Sequence, residues 1–325
     1  MCTAVSFRTK DHYFGRTLDF EYDYGAQVAV TPRNFPLPFR HMGTLGKHYA
    51  IIGMARVERG YPLYFDGVNE KGLAVAGLNF VHSACYHPTA PGKENVAHFE
   101  LIPWLLAQCA TVAEAKKRLE RLNITDDAFC DALPPAKLHW LLADGQETVV
   151  IESVGEGLRV MDDPAGVLTN EPPFPMQLQQ LQNFLNLSPN EPESRFSPSL
   201  ELMPYSRGMG AIGLPGDLSS PSRFVRAAFV RNNSVCGRAE SESVSQFFHI
   251  LGSVTQPRGC CRLGDGQCEI TVYTSCCNTD RGIYYYTTYG NRAITAVDLR
   301  RENLDGTALS VFDLVKTQQF LPQNG

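Results

Sequence analysis

Residues 61–80 read YPLYFDGVNEKGLAVAGLNF, and this stretch sets the fold class. Two segments rich in β-forming residues, 61–65 and 73–80, flank turn residues at Asp66-Gly67 and at 69–72, which is the pattern of a β-hairpin. Hairpins join neighbouring antiparallel strands, whereas parallel strands need long crossover connections. The stretch therefore predicts an antiparallel sheet.

The rest of the chain repeats this pattern, with fewer helices. Further strands are predicted at 28–31, 49–54, 139–143, 148–151, 269–275, 283–289 and 293–299. Helices are predicted at 99–109, at 112–122 after a Thr111 capping box, at 221–230 and at 241–251, with Gly252 as a stop. The proline-bearing segments 172–175 and 187–198 are predicted as loops. Strands at both ends and helices between them favour an α+β fold over a doubly wound parallel sheet.

Length and composition exclude several classes of protein. A chain of 325 residues with 43% hydrophobic residues can bury a large core and is not disordered. The net charge of −5 argues against nucleic-acid binding. No apolar run approaches the roughly 20 residues that span a bilayer, so no membrane partner is expected. Without a repeat or a low-complexity linker, residues 1–325 are expected to form a single domain.

The amino terminus and the cysteines indicate a reducing compartment. Residues 1–11 read MCTAVSFRTKD and contain no apolar core of a secretory signal. A cytoplasmic protein is therefore expected, with its ten cysteines as free thiols. No C-x-x-C or H-E-x-x-H pattern occurs, so no metal site is expected.

Two other patterns give weak signals. Residues 208–213, GMGAIG, match a dinucleotide-binding fingerprint, but no clear strand precedes them and Leu-Pro-Gly-Asp follows where a helix should begin. We therefore expect a loop there and no cofactor. His139, in an apolar strand, is expected to be a hydrogen-bonded core residue. A Cys–His catalytic pair stays open, because its partners could meet only in space.

Cys2 is the candidate nucleophile. Its small side chain favours removal of Met1, which would leave a thiol and a free α-amine on one residue. Such groups have reference pKa values of about 8.5 and about 8, so the amine can exchange protons with the thiol without a histidine.

The surroundings of Cys2 resemble the choloylglycine hydrolases, the bile salt hydrolase and penicillin V acylase branch of the N-terminal-nucleophile hydrolases. The matching motifs, in chain order, are MCT at 1–3, FGRTLD at 14–19, PRNF at 32–35, DGVNEKGL at 66–73, GLNF at 77–80, LTN at 168–170, GLPGD at 213–217, SRF at 222–224 and YTSC at 273–276. The resemblance implies an αββα sandwich, with two antiparallel sheets between helical layers, and amide hydrolysis by a cysteine.

The resemblance also implies roles for single residues. Cys2 matches the nucleophile, and Arg16 matches the guanidinium beside it, whose charge favours a thiolate. Asp19 matches the carboxylate that orients the new α-amine.

Three further residues complete the implied catalytic set. Asn79 and Asn170 match the groups that receive the oxyanion, through a backbone N–H and a side-chain amide respectively. Arg223 matches the remaining arginine of the site.

The resemblance divides between two substrates, conjugated bile salts and phenoxymethyl-penicillin. Asparagine at position 79 resembles the bile salt branch, since the penicillin branch often carries tyrosine there. The alignment implies an apolar slot for a steroid formed by Leu18, Phe65, Phe129, Leu133 and Leu138, although each could equally be a core residue. Arg207 is predicted to favour taurine conjugates by holding their sulfonate, in its own or a neighbouring chain.

Other readings of the sequence stay open. The family suggests a homotetramer. Penicillin V acylase is the alternative activity. A thiol redox or metal-buffering protein would explain the ten cysteines. A non-catalytic bile-acid binder would have the same apolar slot, but the intact Cys2, Arg16 and Asp19 argue against it.

Overall fold

A computed structural model describes residues 1–324, and β-strands dominate it. The strands are β1 (Cys2–Arg8), β2 (His12–Phe20), β3 (Gln27–Thr31), β4 (Leu37–Phe39), β5 (Gly43–Leu45), β6 (Ile51–Glu58), β7 (Tyr61–Asn69), β8 (Ala74–Asn79), β9 (Glu94–Ala97), β10 (Leu122–Thr125), β11 (Leu138–Ala143), β12 (Thr148–Val154), β13 (Gly157–Asp162), β14 (Val167–Leu168), β15 (Ile270–Asn278), β16 (Ile283–Thr288), β17 (Asn291–Asp298) and β18 (Ser310–Asp313). The α-helices are α1 (Leu101–Gln108), α2 (Val112–Leu119), α3 (Phe174–Gln180), α4 (Ser220–Asn233) and α5 (Glu240–Gly252).

Two large antiparallel sheets carry the fold. One has six strands in the order β14-β1-β2-β15-β16-β17, and the other has eight in the order β13-β12-β11-β8-β7-β6-β3-β18. Strands β1 and β2 lie against β8 of the opposite sheet. Both sheets contribute to one buried apolar cluster, to which β2 gives Phe14, β6 gives Met54 and β15 gives Tyr273. The core therefore lies between the stacked sheets.

Helices cover the outer faces of both sheets. Helices α4 and α5 pack on β1, β2 and β15 of the six-stranded sheet, and α1 packs on β6, β7 and β8 of the other. A second apolar cluster, which includes Trp104 of α1 and Trp140 of β11, fills that second interface. The predicted αββα sandwich is thus confirmed, with one small parallel pair, β9 and β10, outside it.

The predicted hairpin at 61–80 forms, but its turn is shorter than the sequence suggested. Asp66 and Gly67 are strand residues, paired with Ala76 and Val75 of β8. The chain turns only after Asn69, whose side-chain oxygen accepts from the backbone N–H groups of Lys71 and Leu73, each at 3.0 Å. The expectation of a turn at Asp66-Gly67 was wrong because this asparagine closes the loop further on.

One other local expectation was also wrong. Residues 172–175 are not all loop, because α3 begins at Phe174. Pro175 fits its first turn, where a backbone N–H has no helical partner. The predicted stop at Gly252 is confirmed to within one residue, since Gly252 is the last residue of α5. Residues 208–213 form a loop with a single 3-10 turn at Met209–Ala211, so the dinucleotide fingerprint has no supporting fold.

The helices of residues 1–324 are short. None of them combines the length and the apolar character that crossing a bilayer requires.

Candidate active site

The hairpin of β1 and β2 brings the predicted nucleophile and its arginine to one face. Cys2 pairs with Leu18, and Ala4 pairs with Arg16, so side chains two residues apart share the face towards β8. Gly15 allows β2 to approach its other neighbour, since a Cβ there would lie 2.1 Å from the carbonyl oxygen of Ser275. Because this face packs against the opposite sheet, Cys2 is only 3% exposed.

The guanidinium of Arg16 is fully buried and contacts main-chain oxygens. Nη1 donates to the carbonyls of Phe65, at 3.2 Å, and of Gly77. Nε donates to the carbonyl of Thr17 at 3.2 Å. The ladder between β7 and β8 ends at Asp66 and Ala76, so Arg16 occupies the place where these strands separate.

The charge of Arg16 is balanced at longer range. Among residues 1–324, no carboxylate oxygen lies within 4.0 Å of its guanidinium nitrogens. Burial alone would lower the pKa of Arg16, but negative charges around it, that of the Cys2 thiolate first and those of Asp66 and Asp19 after it, outweigh burial and raise that pKa above its usual value. The positive charge of Arg16 therefore acts on the anionic groups near it, the sulfur of Cys2 first among them.

Asn170 and Arg223 hold the backbone of Cys2 from behind. The backbone N–H of Cys2 donates to Oδ1 of Asn170 at 2.7 Å, and Nη2 of Arg223 donates to the same oxygen at 2.7 Å. Nη1 of Arg223 donates to the carbonyl of Cys2 at 2.6 Å. With Oδ1 fixed as an acceptor, Nδ2 of Asn170 faces forward and donates to the carbonyl of Asn79 at 2.8 Å.

Asp19 lies deep in this group and contacts Cys2 only indirectly. Its carboxylate accepts from the hydroxyls of Thr271, at 2.6 Å, and Thr17, at 3.1 Å. Nη1 of Arg223 lies 3.9 Å from Oδ2 of Asp19. Burial raises the pKa of Asp19, and the charge of Arg223 opposes that shift.

Met1 occupies the place where the predicted α-amine would be released. Its ammonium donates to the main-chain oxygen of Asp19 at 2.6 Å and to the side chain of Glu269. Its own carbonyl accepts from the N–H of Asp19 at 2.8 Å. The contact of the Asp19 carboxylate with a Cys2 amine therefore stays a prediction for the processed chain.

Asn79 ends β8 beside the sulfur, and its N–H faces the open side of the strand. Asn79 pairs with Leu138, and Phe80 N donates to the carbonyl of Lys137 at 2.8 Å. In an antiparallel ladder, hydrogen-bonded and non-hydrogen-bonded pairs alternate. Phe80 and Lys137 form a hydrogen-bonded pair, so Asn79 and Leu138 form a non-hydrogen-bonded one. The N–H of Asn79 therefore points away from β11. It points towards the gap that Arg16 occupies.

A cavity of about 390 Å³ opens from this polar end. Cys2, Arg16, Asp19 and Asn79 line one end, and the remaining wall is mostly apolar and aromatic. All five residues predicted for the steroid slot line it: Leu18, Phe65, Phe129, Leu133 and Leu138. Asn170 and Arg223 are not lining residues: Arg223 supports Cys2 from behind, and Asn170 lies between Cys2 and Asn79, which both line the cavity.

Sequence reasoning missed part of this wall. Phe20, Tyr22 and Tyr24 also line the cavity. The rings of Tyr22 and Tyr24 lie 4.9 and 4.8 Å from that of Phe20. The signal was present as the alternating run FEYDY directly after Asp19, since alternate residues of an extended segment face one side.

Arg207 does not join the site. It is exposed, in the segment between Ser206 and Gly208, and it does not line the cavity. Within one chain, the structure therefore gives no support to contact between Arg207 and a bound sulfonate.

The remaining cysteines and histidines form no second centre in the described chain. All ten cysteines, which lie within residues 1–324, are free thiols. No cluster of three or more metal-ligating side chains occurs in that range. His139 is fully buried and satisfied, with Nδ1 at 3.2 Å from Glu152 and Nε2 at 2.8 Å from the carbonyl of Thr169.

An αββα sandwich whose first inner strand begins with a cysteine, at the polar end of a cavity, defines an N-terminal-nucleophile hydrolase. Residues 2–312 match the linear amide C–N hydrolases of the choloylglycine hydrolase family, and the chain belongs to that family.

Curated relatives and solved structures agree with this assignment. The chain is 51% identical over 324 residues to a bile salt hydrolase/transferase of Lactiplantibacillus plantarum, with 100% of both chains covered. It is 38% identical to one of Clostridium perfringens, with 98% of each chain covered. The crystal structure of a mutant conjugated bile acid hydrolase from C. perfringens matches with a TM-score of 0.92 at 35% identity over all of both chains. Penicillin V acylase from Agrobacterium tumefaciens has the same fold, with a TM-score of 0.74 at 20% identity over 97% of this chain and 92% of its own.

Proposed function

We propose that this protein hydrolyses the amide bond of glycine- or taurine-conjugated bile salts, with Cys2 as nucleophile after removal of Met1. One observation carries the proposal: Cys2, beside the buried Arg16 guanidinium, lines the polar end of an otherwise apolar cavity of about 390 Å³. That shape suits a substrate with a bulky apolar acyl group and a polar amide. The names of the relatives supply the class of acyl group.

In the first step, the sulfur of Cys2 attacks the amide carbon. The proton of the thiol moves to the free α-amine of the same residue, and Arg16 stabilises the resulting anionic sulfur. Asn170 Oδ1, which already accepts from the nitrogen of Cys2 at 2.7 Å, fixes that amine. Asp19 and Arg223 act with Asn170 to hold the terminus in place.

The oxyanion that forms in this attack is stabilised by Asn79 and Asn170. Asn79 offers its backbone N–H at the strand end. The amide of Asn170 has two hydrogens, of which one is used by the carbonyl of Asn79, so the second can bind the oxyanion. Each donor of this kind contributes about 3 kcal/mol to transition-state stabilisation.

The intermediate then collapses to products. The carbon–nitrogen bond breaks as the α-ammonium gives its proton to the leaving glycine or taurine nitrogen, which leaves a thioester on Cys2. A water molecule, deprotonated by the same amine, attacks the thioester carbon. The carbon–sulfur bond then breaks, the bile acid leaves, and the ammonium returns its proton to the sulfur of Cys2. No cofactor or metal enters the scheme.

Several finer features belong to the same proposal. The protein acts as a single domain in the cytoplasm, supported by a core cluster with residues from Cys2 to Leu314 and by its free thiols.

The protein assembles with copies of itself into a homotetramer through the segment 185–212. This proposal is supported by apolar side chains in that segment that are unusually exposed and that an interface would cover: Leu185 (85%), Phe196 (79%), Met203 (81%) and Tyr205 (87%).

The test compares Cys2→Ala with Cys260→Ala, since Cys260 is exposed and outside the cavity. Hydrolysis of taurocholate, glycocholate and phenoxymethyl-penicillin is followed by mass spectrometry. We expect the Cys2 variant to fold and to lose turnover, while the Cys260 variant keeps it. Turnover by the Cys2 variant would contradict the proposal, and a preference for the penicillin would favour the alternative acylase activity.

A further inference from the structure

A buried carboxylate, that of Asp66, lies beside the proposed site with no part in the scheme above. Asp66 is 2% exposed and belongs to β7, in the sheet opposite Cys2. Its Oδ2 accepts from the hydroxyl of Tyr273 at 2.7 Å, and its Oδ1 accepts from that of Tyr284 at 2.5 Å. Both tyrosines belong to the six-stranded sheet, so the carboxylate joins the two sheets across the core.

This carboxylate adjoins the arginine that faces the sulfur. Nη1 of Arg16 donates to the carbonyl of Phe65, the residue directly before Asp66. In the described part of the chain, the guanidinium of Arg16 donates only to carbonyl oxygens, so its charge must be balanced by anions further away. Burial raises the pKa of Asp66, and the charge of Arg16 and the two phenols oppose that rise.

The charged and titratable groups around Arg16 come from both sheets. Cys2 of β1, Asp19 of β2 and Tyr273 of β15 come from the six-stranded sheet, and Asp66 of β7 comes from the eight-stranded sheet. Tyr273 and Tyr284 stay protonated, because burial and then Asp66 raise their pKa values well above the usual one. Asp66 is thus the anion that the eight-stranded sheet contributes beside Arg16, opposite the six-stranded sheet that carries Cys2.

We propose that Asp66, held by Tyr273 and Tyr284, is a positioning residue that supplies a fixed counter-charge to Arg16. It limits how strongly that guanidinium stabilises the anionic sulfur of Cys2. A thiolate that is stabilised too strongly forms readily but attacks slowly, because nucleophilicity falls with basicity. Sharing the charge of Arg16 between two anions keeps the sulfur both ionisable and reactive. This inference rests on the proposed function.

The experiment measures the sulfur itself, without substrate. Processed protein is treated with iodoacetamide from pH 5 to pH 10, and the rate of alkylation at the Cys2 peptide is followed by mass spectrometry. The variant is Asp66→Asn, which keeps the size and removes the charge. Asp163→Asn is the matched control, because Asp163 is also a buried, hydrogen-bonded carboxylate but lies against Arg231.

In Asp66→Asn we expect the pH midpoint of alkylation to move down by about half a unit or more, since an anion near Arg16 has gone. The limiting rate at high pH should fall roughly twofold, as the sulfur becomes less basic. Asp163→Asn should show neither change. Should Asp66→Asn not fold, Tyr284→Phe serves instead. Loss of the Tyr284 hydroxyl removes one hydrogen bond to the Asp66 carboxylate and makes its ionised form less favourable. The pH midpoint of alkylation should therefore also move down, but by less than in Asp66→Asn.

Two outcomes would overturn the proposal. If Asp66→Asn lowered the melting temperature but left the pH midpoint of alkylation unchanged, Asp66 would only link the two sheets. If the midpoint moved up, the effect of Asp66 on the sulfur would have the opposite sign to the one proposed. Failure of the proposed function looks different: alkylation of Cys2 would then leave bile salt hydrolysis intact, whatever the Asp66 variant does.

Discussion

The two arginines beside Cys2, Arg16 and Arg223, are both fully buried, yet they are held in opposite ways. Arg223 contacts the carbonyl of Cys2, the hydroxyl of Thr3 and the side chain of Asn170, with Asp19 at 3.9 Å. Within residues 1–324, the guanidinium of Arg16 donates only to carbonyl oxygens and has no carboxylate within 4.0 Å. This difference in contacts gives the two arginines different roles. Arg223 fixes the backbone around the nucleophile, whereas the charge of Arg16 remains available to the sulfur.

Removal of Arg223 should have the largest effect on stability. Arg223→Met would leave the buried carboxylate of Asp19 without its cation, and the acceptors on Cys2 and Asn170 without their donor. We expect the free energy of unfolding to fall by about 3–5 kcal/mol, together with loss of activity. Urea denaturation checks this, and a loss below about 1 kcal/mol would show that the contacts are not structural.

Removal of Arg16 should act on activity more than on stability. Arg16→Met removes the cation beside the sulfur, and we expect kcat/KM for taurocholate to fall about 100-fold or more. Stability should fall less than in the Arg223 variant, because no carboxylate loses a direct ion pair. If the two variants lost equal free energies of unfolding in the same urea series, the proposed difference between a structural Arg223 and a catalytic Arg16 would be contradicted.

His12, at the other end of the same hairpin, extends the comparison to a group that stays neutral. Burial, the largest cause, lowers the pKa of His12 to about 4 from 6.5. Between these values the unfolded chain binds a proton that the folded chain does not, so stability falls as the pH falls through this window.

The matching variant is His12→Gln, with unfolding in urea measured at pH 7 and pH 4.5. The wild type should lose about 2 kcal/mol more than the variant between these pH values. Identical losses would mean that His12 is already charged in the folded protein or is exposed.

The exposed Arg207 should show the smallest effect. Because it lies outside the cavity of its own chain, it could act on a substrate only in a neighbouring copy. The ratio of taurocholate to glycocholate hydrolysis in Arg207→Ala tests this. If a neighbouring chain places Arg207 at the sulfonate, the ratio should fall, by less than about tenfold. An unchanged ratio removes Arg207 from the account.

The layered fold was predictable because hairpins leave local signals. Turn residues between β-forming segments marked the paired strands of both sheets, and the capping threonine marked α2, where Thr111 Oγ1 accepts from Glu114 N at 3.2 Å. Asp66-Gly67 misled because a dipeptide signal cannot show that Asn69 closes the turn. Helix α3 was missed because prolines in its first turn resemble those of a loop.

The site residues were predicted from a resemblance, since no local pattern joins residues 2, 79, 170 and 223. Their convergence depends on sheet stacking, which sequence periodicity does not specify. Asp66 was missed as a site residue for the same reason: its partners Tyr273 and Tyr284 are more than 200 residues away.

Mass spectrometry of the active protein during turnover tests the central claim most directly. A preparation that is hydrolysing taurocholate is quenched in acid, and its amino-terminal peptide is sequenced and weighed. We predict that the chain begins at Cys2 and that a fraction carries a cholyl group as a thioester on that residue. Full activity from a chain that retains Met1, or an acyl group on another residue, would contradict the account.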